Sequence, residues 1–168
     1  VIYTSVAGND TVRLFTQMAE FGVNRNIQVV GASGTVTGQN LAAIGKAADG
    51  FVTGVGYSSS IDTPENRKCV AEFEAAAKAK PDLYGADSSG VLFLYKAAVE
   101  KAKSTDTDAL RTAMRGLQWP TPQGLKTLRA GDHQAMQDMY AVRVNGGMFE
   151  IVGKVSAAAA IGADTCAR

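Results

Sequence analysis

The sequence predicts an α/β fold in which strands, at first parallel, alternate with helices. Three observations predict it. Strand-like, helix-like and strand-like segments follow one another between residues 1 and 32, the pattern of a βαβ unit, whose parallel strands require a right-handed crossover. The early strand-like runs are short, apolar and bounded by glycine, as in strands buried on both faces. The later segments alternate long helical patterns with a closing hairpin.

Residues 1–5 (VIYTS) alternate as a strand, and Gly8-Asn9-Asp10-Thr11 supplies a turn and a helix start. Val12, Leu14, Phe15, Met18, Ala19 and Phe21 give residues 11–21 a broad apolar face, and Gly22 closes that helix at the left-handed position. IQVVGA (27–32) is the second strand, 38–48 a short helix, and GFVTGVGY (50–57) a third strand bent at its glycines. Pro64 opens a helix with Cys69, Val70, Phe73, Ala76 and Ala77 on one face. The helix over 88–103 is apolar on most sides through 91–95, so more than one neighbour should pack on it. Asp106 caps the next helix, with Leu110, Ala113, Met114 and Leu117 as its stripe and Gly116 as its end. A Pro-rich elbow, WPTPQG, leads into a strand-like KTLRAGDHQ. Residues 139–144 and 148–155 then read as an antiparallel hairpin turning at Asn145-Gly146.

The 168 residues are 46% apolar, and 17 basic side chains nearly balance 16 acidic ones. No basic block can neutralise a row of phosphates, which argues against nucleic acid as a partner. No uncharged run approaches the ~20 apolar residues of a membrane helix. The chain starts at Val1, inside a strand and without an initiator Met, so we expect a piece of a longer protein from which a signal peptide has been lost. A disulfide between Cys69 and Cys166 would suit an oxidising compartment, and a small apolar residue plus a free thiol is the alternative.

Catalytic groups are sparse. The single His133 lies in a polar loop (Gly131-Asp132-His133-Gln134), where a solvated or loop-stabilising role outweighs general-base chemistry. Asp132 and Glu150 are a weak acid/base pair, and the two cysteines and one histidine form no zinc spacing. Two strand-to-helix loops are better candidates. Ala7-Gly8-Asn9-Asp10 and Gly31-Ala32-Ser33-Gly34 each follow a strand, where open parallel sheets collect ligands. A helix start there offers free N–H groups to an oxygen-rich ligand, although the GxGxxG spacing is absent. Two ordinary turns are the competing reading.

In order, VIYTSVAGNDTVRLFTQMAEFGV, VVGASG, AADGFVTGVGY, YGADSSGVLFLYKAAVEKAKSTDTDALRTAMRGL and TPQGLKTLRAGDHQAMQDMYAVRV resemble the C-terminal portion of a type I periplasmic solute-binding protein. The branch is the branched-chain amino acid-binding-like one that serves ABC importers. The resemblance implies two parallel-sheet lobes joined by hinge crossings, closing on a solute without enzyme chemistry or a cofactor. It assigns residues 1–54 to the C-terminal lobe, 55–121 to the returning part of the N-terminal lobe, and 122–168 to a hinge crossing and the rest of the C-terminal lobe. Crossings are expected near 54–57 and 121–124.

It also implies that most of the N-terminal lobe precedes Val1. Val91, Leu92, Leu94 and Tyr95 would then be exposed at about 25 cal/mol per Å², making that missing portion, or a second chain, a partner alongside the membrane permease subunits. Family members that bind amino acids carry an aromatic and an acidic residue where Ala7 and Ser33 stand here. Without the acid, an α-ammonium in a closed cleft would cost several kcal/mol. The implied solute is therefore an aromatic or aliphatic acid, held in a periplasmic receptor by Ala7, Gly8, Asn9, Ser33 and, near the hinge, Tyr57. A ligand-sensing domain of a regulator or receptor with the same fold is the alternative, and a small hydrolase using His133 a distant third.

Overall fold

In the computed structural model, which describes residues 1–165, the chain first lays down β1 (Ile2–Thr4), α1 (Asn9–Glu20), the single turn α2 (Val23–Asn26), β2 (Val29–Gly31), α3 (Gly38–Ile44) with a 3₁₀ extension over Gly45–Ala48, and β3 (Val52–Val55). Then come three helices, α4 (Pro64–Ala77), α5 (Leu83–Ala102) and α6 (Thr107–Met114), and three short strands, β4 (Gln118–Thr121), β5 (Gly124–Leu128) and β6 (Ala135–Met136). The chain ends in β7 (Met139–Asn145), β8 (Met148–Val155) and α7 (Ala157–Ile161). Cys166, the expected partner of Cys69, lies outside the described residues.

Two sheets result. The larger has the order β1-β2-β3-β7-β8, its first three strands parallel, with Thr4 opposite Gly31 and Gly31 opposite Thr53. The smaller is the antiparallel meander β4-β5-β6. On the larger sheet, Phe15 and Met18 of α1 meet Leu41 and Ile44 of α3 over Val29, Phe51 and Val144. Phe15 and Phe51 meet edge-to-face with centroids 5.3 Å apart, the arrangement that aromatic quadrupoles favour.

Caps explain several boundaries. Gly22, at φ 68°, ends α1 in the left-handed region, where glycine has no Cβ penalty. The short helix α3 has a reciprocal box: Thr37 N–H donates to Asn40 Oδ1 (2.8 Å), and Asn40 N–H donates to Thr37 Oγ1 (3.4 Å). Asp82 accepts from the N–H groups of Tyr84 and Gly85, so α5 starts five residues earlier than the apolar pattern alone suggests. Asp106 caps α6 in the same way, as expected.

The elbow expected at WPTPQG is a hairpin. Pro120 sits inside β4 opposite Leu125, Thr121 opposite Gly124, and Thr121 Oγ1 donates to the Gly124 carbonyl at 2.8 Å. Buried Trp119 anchors β4 by donating from Nε1 to the Gly90 carbonyl of α5 (3.1 Å), and Thr121 lies beside Gly90. Gln123 and the buried Lys126 both donate to Asp87 Oδ1. Residues 121–124, read from the sequence as a crossing, form this hairpin turn; the chain passes from the small sheet to the large one at Gln137-Asp138.

Three smaller corrections follow from packing. Leu94 lies half-buried in the cluster of Ala98, Leu110 and Leu117, while Phe93 joins Val91, Leu92 and Tyr95 in solvent. On α4, Ala76 and Ala77 are exposed and only Cys69, Val70 and Phe73 of the expected face are half-buried. The β7–β8 turn centres on Gly146-Gly147 rather than Asn145-Gly146, because both central residues take positive φ (57° and 77°) and Asn145 pairs with Met148.

Candidate functional site

Strands β1 and β2 end side by side, so the loops that follow them are neighbours: the Ala32 N–H donates to the Thr4 carbonyl at 3.0 Å. Gly31 makes this possible, since a Cβ there would lie 2.8 Å from the Thr4 oxygen and from the Phe51 ring. Ala7, Gly8 and Asn9 are exposed at the start of α1, and Ser33 is exposed in the adjoining loop. The N-cap is Gly8, and no side chain caps α1, leaving its first-turn N–H groups unclaimed by a side-chain oxygen. Neither position 7 nor position 33 carries a carboxylate.

The helix α5 reaches this edge from the other region. A Cβ on Gly34 would sit 2.9 Å from Tyr84 Oη, and one on Gly38 would sit 3.7 Å from the Asp82 Cβ. Sequence reasoning did not single out Tyr84; its only local signal was its place in the first turn after a capping aspartate.

Tyr57 lies elsewhere. It is buried, donates from Oη to Asn66 Oδ1 at 2.9 Å, and forms part of the wall of a cavity of about 530 Å³ between α3, the start of α5 and β8. Leu41, Val55, Leu83, Val142, Met148 and Phe149 supply most of the apolar wall. Burial pushes the Tyr57 phenol well above its ordinary value, with Cys69 and Asp82 adding to the shift, so it remains a donor. Asn66, also missed in the sequence, organises this corner: its Nδ2 donates to the carbonyls of Ser59 (3.1 Å) and Ile61 (2.7 Å). The structure thus joins Ala7, Gly8, Asn9 and Ser33 at one edge and sets Tyr57 apart in the cavity wall.

The groups with nominal reactivity are engaged in structure. Burial, then Glu72, raises the Cys69 pKa, which keeps the thiol protonated. His133 stands at φ 59° with Nε2 3.1 Å from the Arg111 carbonyl, a contact in which the ring nitrogen donates. The Arg129 guanidinium grips both oxygens of Asp132 and holds its carboxyl far below the usual carboxylate range, with the Gln134 N–H contributing. Glu150 accepts from Asn145 Nδ2 at 2.9 Å on β8.

Two passages link the sheets, one leaving β3 at Gly56 and one entering β7 through Gln137. They touch: a Cβ on Gly56 would collide with Gln137 Nε2. That amide nitrogen also lies 3.8 Å from Met139 Sδ, whereas Gln137 Oε1 is buried with no hydrogen-bond partner among the described residues.

A family model described as a periplasmic binding protein matches residues 1–148. No curated protein matches the chain. Among solved structures, a solute-binding protein of an ABC transporter from Rhodopseudomonas palustris BisB5, in complex with 3,4-dihydroxybenzoic acid, is 24% identical with a TM-score of 0.83; the match covers 92% of this chain and 44% of that one. A solute-binding protein from R. palustris in complex with benzoate is 27% identical with a TM-score of 0.81, covering 92% and 42%. An ABC-type branched-chain amino acid transporter protein from R. palustris CGA009 is also 27% identical, with a TM-score of 0.73 and coverage of 92% and 43%. The chain therefore spans less than half the length of these relatives. No helix among the described residues is long and apolar enough to cross a membrane.

Proposed function

This chain belongs to the periplasmic binding protein family, a non-enzymatic family, and on that premise we propose that it is the C-terminal portion of a periplasmic receptor delivering a small aromatic or aliphatic acid to an ABC importer. One observation carries the reading. The two adjoining loops at the ends of β1 and β2 present exposed N–H and hydroxyl groups and have no carboxylate at positions 7 and 33. Such an edge receives an anion at a helix start and offers nothing at those positions to neutralise an α-ammonium, which would be costly to desolvate. The benzoate-class acids bound in two relatives support the same choice.

In this reading Ala7, Gly8 and Asn9 bind the solute through backbone and amide groups, Ser33 through its hydroxyl, and Tyr57 stands near the hinge. The large-sheet region and the α4–α6 region belong to opposite lobes, the solute bridges them, and closure creates the surface that the permease subunits recognise. The remainder of the receptor covers the apolar face of α5 and supplies the opposing solute contacts. Calorimetry and small-angle scattering on the full-length protein test this. Benzoate should bind and reduce the radius of gyration, and leucine should do neither. Leucine binding in preference to benzoate would overturn the choice of solute, and an unchanged radius at saturation would overturn closure.

A further inference from the structure

We propose that Gln137 sets the balance between the open and closed forms; this rests on the closure reading above. Gly56 and Gln137 occupy the two passages between the sheets, so any rotation of one region against the other changes their surroundings. Here the regions are in contact, with Tyr84 and Asp82 of the α5 start against Gly34 and Gly38. In this arrangement the Gln137 side chain lies across the bare Cα of Gly56, and its amide oxygen is sealed from solvent with no donor among the described residues.

A buried acceptor left without a donor forfeits the hydrogen bond that water would supply. Opening at the passages readmits water to that oxygen. The closed form therefore carries a built-in penalty that the bound solute must offset, and the empty receptor is biased toward the open form. Gly56 is part of the device because it leaves room for the amide. A methyl group there meets the far end of a flexible side chain, so Gly56→Ala perturbs Gln137 without disturbing the fold.

The test uses the full-length receptor, with benzoate as the probe. Gln137→Leu keeps similar bulk and removes the unmet acceptor. Its ligand-free radius of gyration should shift toward the benzoate-bound value, and benzoate should bind about tenfold more tightly. Gly56→Ala should weaken benzoate binding several-fold, and the loss should disappear in the Gly56→Ala/Gln137→Ala double variant, where the colliding atoms are gone. A purely structural Gln137 would change the melting temperature while leaving ligand-free radius and Kd at the parent values, and that result overturns the proposal. So would equal losses from Gly56→Ala with and without Gln137. If benzoate fails to bind but Gln137→Leu still compacts the empty protein, the solute assignment fails and the hinge role stands. If benzoate compacts the parent and Gln137→Leu changes neither quantity, the hinge role alone fails.

Discussion

The large-sheet region and the region built on α5 use similar residues to different degrees of completion. Around the large sheet, Phe15, Phe51, Val144 and Ala48 are almost wholly enclosed by α1, α3 and the strands. In α5 the residues buried most deeply are small, Ala86, Gly90 and Ala98, while Val91, Leu92, Phe93 and Tyr95 are 49–71% exposed. A helix that is apolar on most sides is built to be covered on most sides. The first region closes a core within this chain, with Ile151, Val152 and Val155 of β8 left 37–47% exposed at its edge, whereas α5 has partners here on one side only. The proposed receptor supplies the other side.

Substitutions in the two regions should have unequal effects. The largest expected effect is Phe15→Ala, which removes an enclosed ring and should cost roughly 3–5 kcal/mol in denaturant unfolding. A loss below about 1 kcal/mol would mean that this core is not the complete one. Next is Gly31→Ala, whose methyl group would meet the Thr4 carbonyl and the Phe51 ring; overpacking of this kind costs about 1–3 kcal/mol, and the same melt should register it. Leu92→Ser is the discriminating case. It should change the stability of this chain by less than about 0.5 kcal/mol, as exposed positions do, but cost roughly 1.5–3 kcal/mol in the full-length receptor if the face is covered there. Equal small effects in both would remove the proposed cover.

The smallest expected effect concerns pH. Asp132 has a pKa lowered chiefly by its hydrogen bonds from Arg129, and Asp138 one lowered chiefly by its hydrogen bond from Lys154. A lowered carboxylate pKa means stabilisation that is complete above the unfolded value of about 4 and lost as pH falls through the folded value. Melting temperature should therefore fall below about pH 4, and Asp132→Asn should flatten part of that slope. An identical slope in the variant would show that the Arg129 pairing adds nothing to folding.

Much of the architecture was legible because its signals are local. Gly22, Pro64 and Asp106 act through their own backbone or that of residues within one turn, so the βαβ start and the capped helices can be read from neighbouring letters, and the closing hairpin can be read with its turn one residue early, at Asn145-Gly146 instead of Gly146-Gly147. Ala7–Asn9 and Ser33 could be placed at one edge because parallel β1 and β2 must end together. The elbow at 119–124 was misread because Pro120 looks like a breaker, whereas pairing with β5 makes it a strand and the bond from Trp119 to Gly90, 29 residues away, anchors it. Asn66 and Tyr84 were missed for the same reason: their roles depend on Tyr57 and on Gly34, from other elements.

Letters close together in the chain settle the α/β alternation, the Asp106 cap and the pair of strand-end loops, because propensity, periodicity and capping act within a few residues. Packing settles which face of α5 is covered, how Tyr57 is held by Asn66, and that Gln137 rests on Gly56. Those contacts join residues from different elements, and their geometry exists only after the sheets and helices have packed.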